Sequence, residues 1–211
     1  MNPKLSKASL YFNLIVLTIV FAGCGPNPYN RHYYILDATR QATPSETQTD
    51  VILEVQRFTT DSAFASKQLV YRKSEFEYES DFYGEFLISP GLMITEKTRN
   101  WLAHSGLFAR VLAPGSYTKP THTLHANITA LYIDTRNKKS PAAVLQMRVF
   151  LTPEEPAEKL VILAETYNAS VGVKSKDAED FVEGFNQCLE QILTDLEKDL
   201  REQLQSESPD L

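Results

Sequence analysis

Apolar and polar residues alternate along most of this chain, and the period lengthens from two to between three and four in two places. In residues 51–58, Val51, Leu53 and Val55 fall on one side and Glu54 and Gln56 on the other, the pattern of a half-buried strand. Residues 68–72 read as a second short strand. From 76 to 88 the alternation sharpens. Phe76, Tyr78, Phe82, Phe86 and Ile88 share one parity, and Glu75, Glu77, Glu79, Asp81 and Glu85 share the other. Gly84 sits where another aromatic residue would fit, the place for a bulge. Three longer alternations follow: Leu124 to Tyr132, Leu145 to Leu151, and Val161 to Val171. Polar and proline-containing breaks at 134–141 and 152–159 separate them at hairpin-like spacing.

The helical periods are bracketed by start and stop signals. Ser89 can cap free N–H groups, and Pro90 at the first helical position forfeits no hydrogen bond. Ile94, Thr98, Trp101, Leu102 and Ser105 form one stripe, and Gly106 follows where a left-handed residue ends a helix. This predicts a helix over about 90–105. The second is longer, about 177–205. Its stripe of Phe181, Phe185, Cys188, Leu189, Ile192, Leu193, Leu196 and Leu200 needs a broad apolar surface to cover. Short first-strand character appears at 33–36, and a return strand at 108–112. The expected fold class is α+β, a largely antiparallel sheet with two main helices packed on one face.

The first 23 residues differ from the rest. Lys4 and Lys7 precede an uncharged, mostly apolar run over 8–22, shorter than the ~20 residues that span a bilayer. That is the pattern of a secretory signal. It ends in Phe-Ala-Gly-Cys, small residues before a cysteine, which resembles a bacterial lipobox with Phe21 in the usual Leu position. Cys24 is the expected lipidation site. An ordinary signal peptide or an uncleaved anchor also fits the run, less well. The expected organisation is a signal peptide over 1–23, a lipidated tether with a short strand and polar loop over 24–50, an α+β domain over 51–205, and a frayed tail over 206–211. Gly25, rather than Asp, follows the cysteine, which favours the outer membrane.

Charge and composition then exclude several classes. The net charge is −6, and losing Lys4 and Lys7 makes the mature chain more acidic still, so no basic nucleic-acid footprint is present. With Cys24 acylated, Cys188 has no partner and reads as a small core residue. His122 and His125 lie on a predicted strand, where they point to opposite faces and make a poor metal pair. There is no Gly-x-Ser-x-Gly elbow and no Gly-rich phosphate loop. The expectation is a non-enzyme with no catalytic residue, no metal and no cofactor. Tyr78, Phe82, Tyr83, Phe86 and Trp101 are the candidate partner or lipid contacts. Core packing is the plainer reading of the same aromatic residues.

Several segments together resemble a known family. They are YYIL at 33–36, QLVYR at 68–72, YESDFYGEFLISPGLMITEKTRNWLAHSGLFARVL at 78–112, LHANITALYID at 124–134, and the closing helix. The chain is similar to the ABC-type transport auxiliary lipoproteins, which include PqiC-like proteins. The resemblance implies a fold like the TolB N-terminal domain and no active site. It also implies an outer-membrane lipoprotein, lipid-anchored with its domain in the periplasm, accessory to an ABC system with an MCE-type periplasmic partner that moves lipids or other apolar solutes. A lipid-binding carrier and a structural or assembly lipoprotein of another envelope machine stay open as alternatives. So do monomer and homo-oligomer.

Overall fold

The alternating segments form nine strands among the described residues: β1 (His32–Tyr34), β2 (Ile52–Val55), β3 (Thr59–Thr60), β4 (Gln68–Arg72), β5 (Tyr78–Phe86), β6 (Arg110–Leu112), β7 (His122–Asp134), β8 (Ala142–Pro153) and β9 (Leu163–Gly172). The helices are α1 (Pro90–Ala103) and α2 (Ala178–Glu207). The computed structural model describes residues 31–41, 49–155, 161–175 and 177–207. The expected leader and Cys24 lie outside the described residues.

β7 is the central strand. β8 runs antiparallel along one edge of it, from His122 opposite Pro153 to Asp134 opposite Ala142, and β9 continues antiparallel beyond β8. The other edge of β7 is shared in turn by β2, β3 and β4, all parallel to it. β6 extends the sheet from β2, and β5 and then β1 extend it from β4. The long ladders are antiparallel, as expected, and the sheet is mixed because five shorter pairings are parallel. Periodicity identifies a strand but says nothing about the direction of its neighbour.

Both helices pack on one face. α2 lies over β8 and β9, and α1 over β2 and β6, where it also meets α2. All eight residues of the predicted α2 stripe are at most 1% exposed. Burying each such side chain contributes ~1.5–3 kcal/mol before conformational entropy is subtracted. Gly184 lets this helix come close: a Cβ there would sit 2.8 Å from Val173 Cγ1 and 2.9 Å from Ala143 Cβ. In α1 the start differs in detail from expectation. The Ser89 side chain makes no cap bond, and its carbonyl instead accepts from the N–H groups of Leu92 and Met93. Gly106 ends the turn at φ 71°, the left-handed conformation its position calls for.

One bulge overturns an expected face. The β7–β8 register shifts between Ile128 and Ala130, so Thr129 is an extra residue. Leu124, Ala126 and Ile128 are buried before it, but Leu131 and Ile133 are buried after it. Ala130 and Tyr132 therefore leave the core face that simple alternation assigned to them, because one inserted residue inverts every later side chain.

Candidate interaction surface

Asp81 decides which aromatic residues reach the surface. Its carboxylate accepts from the backbone N–H of Tyr83 at 2.8 Å and of Gly84 at 3.0 Å, and from the Tyr71 hydroxyl at 2.9 Å. Burial, with Asp81 beside it, pushes the Tyr71 phenol well above its usual pKa. These bonds hold a bulge. Gln68 pairs with Glu85, but Val70 pairs with Ser80, so β5 carries several extra residues between them. The bulge suggested by Gly84 is thus present, and it inverts the alternation of β5.

The inversion splits the four aromatic candidates of β5 into three groups. Tyr78, before the bulge, is opposite Arg72 and faces away from the helices, since neighbouring Tyr71 packs edge-on against Phe181 of α2. Phe82 and Tyr83 ride on the bulge itself, 58% and 49% exposed. Phe86, after it, is 1% exposed and packs against Phe185. Phe86 is an interior side chain and offers no contact surface, which corrects its place among the candidates, whereas Trp101 is largely buried but lines a cleft beside α2. Conversely, the plainer core reading fails for Tyr78, Phe82 and Tyr83.

Tyr78 belongs to an aromatic cluster that sequence spacing could not show. Its ring meets Tyr132 edge-on at 5.7 Å between centroids, and Phe64 at 6.2 Å, while Phe64 and Tyr132 stack at 5.9 Å. The Arg72 guanidinium carbon lies 5.6 Å from the Tyr78 centroid and 5.7 Å from that of Tyr132, within cation–π range. Arg72 also donates to the carbonyls of Ser74 and Glu75. The β7 bulge brings Tyr132 here, and the β5 alternation brings Tyr78. The result is a rigid, half-exposed patch of rings around one held cation, suited to apolar or planar groups of another molecule.

Trp101 serves a different site. Its Nε1 donates to Glu197 Oε2 at 2.9 Å. Arg40 donates to both oxygens of the same carboxylate, at 2.9 and 3.0 Å, and Arg201 adds a bond at 3.1 Å. Burial alone would raise the Glu197 pKa, but the hydrogen bond and charge of Arg40, with Trp101 and Arg201, outweigh it and hold the carboxyl below its usual range. Asp37 N–H and Thr39 N–H donate to Asn186 and Glu190 of α2. Residues 37–41, expected as a polar loop, are therefore bonded along the last helix. Beside them is a cleft of about 420 Å³ lined by Trp101 together with Arg40, Glu190, Glu197, Lys198 and Arg201.

His122 and His125 lie on β7, and among the described residues no group of three or more His, Cys, Asp or Glu converges as a metal site requires. Cys188 is buried in the α2 stripe, with its thiol pushed up to about 11 by burial. No helix among the described residues is long and apolar enough to cross a membrane.

Residues 33–197 match the sequence model of the ABC-type transport auxiliary lipoprotein component. The chain belongs to that family. A crystal structure from Xanthomonas campestris, assigned to DUF330, shares the fold of this auxiliary lipoprotein at a TM-score of 0.70 and 17% identity, covering 84% of this chain and 98% of the other. Another crystal structure, of an uncharacterised protein, gives 0.62 at 12% identity, covering 81% and 99%. At these identities the likeness establishes the fold of the auxiliary lipoprotein, an open mixed sheet with two helices. No curated protein matches its sequence significantly. Membership makes the chain an envelope-associated auxiliary of an ABC transporter and gives it no family catalytic residues to inherit.

Proposed function

We propose that the protein is the outer-membrane accessory lipoprotein of an ABC transporter with an MCE-type periplasmic component, acting by binding that component. The cargo is lipid or another apolar solute. Cys24 carries the acyl chains. Two or three chains hold a protein on a bilayer far more firmly than one, at ~0.8 kcal/mol per buried methylene. Exposing acyl chains to water costs ~25 cal/mol per Å², so apolar cargo crosses the periplasm only inside a shielded conduit. A domain fixed to the far membrane gives such a conduit its landing place, and tethering raises its local concentration there.

The observation that carries this reading is the half-exposed cluster of Phe64, Tyr78 and Tyr132 around Arg72, in a chain of this family. Rigid aromatic anchors beside an arginine are what binding hot spots use.

The test places a photo-crosslinking amino acid at Tyr78 in cells that carry the transporter. The expected product is an adduct with its periplasmic component, lost with Tyr132→Ser. Adducts only with unrelated envelope proteins refute the assignment. Cys24→Ser should release a folded protein into the soluble periplasm, and a variant still sedimenting with membranes refutes the anchor.

A further inference from the structure

We infer that the surface formed by β1 and the β5 bulge rests on the lipid bilayer and fixes the orientation of the domain on its membrane. This rests on acylation at Cys24 and adds to it a second, non-covalent membrane contact. Five exposed apolar side chains meet there: Tyr33, Ile35, Phe82, Tyr83 and Leu87, each 49–58% exposed. β1 is the outermost strand on this side of the sheet and runs parallel to β5, with Tyr33 opposite Glu85 and Tyr34 opposite Phe86. Tyr34 and Phe86 turn to the core, so Tyr33 and Ile35 take the other face. There Arg31 sits 5.2 Å above the Phe82 ring and 3.5 Å from Glu85, and Phe82 meets Tyr83 edge-on at 5.3 Å.

Chain length selects the occupant. Seven residue steps separate Cys24 from Arg31, a reach of at most about 25 Å. A domain of this size is about 40 Å across, with a radius of gyration of ~16 Å. With acyl chains at Cys24 in the bilayer, Arg31 stays within that distance of the lipid, so the surface around it is the part of the domain held nearest the membrane, and that is where these five side chains are exposed. Their chemistry fits an interface: two tyrosines present an apolar ring and a polar tip, and aromatic residues favour the headgroup level. Arg31 and Lys67, whose ammonium group donates to the Leu87 carbonyl at 2.9 Å, bracket the patch with cations that lipid phosphates accept. The acyl chains supply attachment and the patch supplies direction. The Tyr78 cluster, at the other end of β5, is left for a protein partner.

The experiment uses the full-length lipidated protein in vesicles of phosphatidylethanolamine and phosphatidylglycerol. A nitroxide is attached at Tyr83→Cys, with Ser170→Cys on exposed β9 as the control. Collision rates are measured with membrane-soluble oxygen and with a water-soluble nickel chelate. The inference expects the oxygen-to-nickel ratio at position 83 to rise several-fold over that at 170. Equal ratios in a protein that floats with the vesicles and carries acylated Cys24 overturn it while leaving the anchor intact. Protection from both probes means a protein covers the patch, and overturns it too. A protein that neither floats nor carries acyl chains removes the anchor, and the inference falls with it.

Discussion

Replacing Glu197 with alanine should be among the most damaging single changes outside the apolar core. The carboxylate accepts two bonds from Arg40, one from Trp101 and one from Arg201. The Arg40 and Glu197 side chains are only 10% and 11% exposed, so solvent screens the pair little. Removing one partner of a buried charge pair costs ~3–5 kcal/mol, and this pair sits at the edge of a cleft, so about 3 kcal/mol is expected. Trp101→Phe keeps the ring and loses one bond, for about 1 kcal/mol. Arg40→Ala and Glu197→Ala should be strongly non-additive, with a coupling of about 2 kcal/mol, because either change removes the same bonds. Urea unfolding followed by far-ultraviolet circular dichroism measures all of these, including Trp101→Phe, which removes the sole tryptophan. The dependence on pH gives a second check. The folded pKa of Glu197 lies below its unfolded value of ~4.3, so its contribution is complete above that value and is lost as pH falls through the folded pKa. The parent should therefore lose more stability between pH 6 and 3 than Glu197→Gln does. A Glu197→Ala protein within 0.5 kcal/mol of the parent, taking ~1 kcal/mol as the ordinary effect of a substitution, would refute this account of the clamp.

Leu193→Asp places a charge at a fully buried point of the α2 stripe and should abolish cooperative thermal unfolding by circular dichroism. Gly184→Val drives side-chain atoms into Val173 and Ala143 and should cost ~1–3 kcal/mol in the same urea assay. The Cys188 thiol, buried and raised to about 11, should resist a thiol reagent in the native protein at pH 8 and react on unfolding.

The long amphipathic elements were legible because their signals repeat. The α2 stripe and the Pro90 and Gly106 boundaries appear in the structure as the residues imply. What spacing missed turns on short insertions. Thr129 and the Asp81–Gly84 bulge reverse the facing of all that follows, and alternation taken at constant parity put Tyr132 in the core and Tyr78 on the same side as Phe86. Gly84 was the one residue that hinted at either bulge. The Arg40–Glu197 pairing was invisible because its members are far apart in sequence and 37–41 has no periodicity. The parallel neighbours of β7 were equally hidden, since pairing direction leaves no mark on a short strand.

The bonds from residues 37–40 to α2 join positions 149–157 apart. Closing a loop of that length costs roughly 4–5 kcal/mol in chain entropy by the logarithmic law. Nothing repays that cost until the final helix exists. In an exported chain residues 37–40 emerge ahead of α2, the helix that seats them. The β7–β8–β9 meander and α2 are local in sequence and can assemble early, leaving the opening segment to dock at the end. A truncation that removes α2 from Asn186 onward would therefore unfasten the beginning of the protein as well as its end.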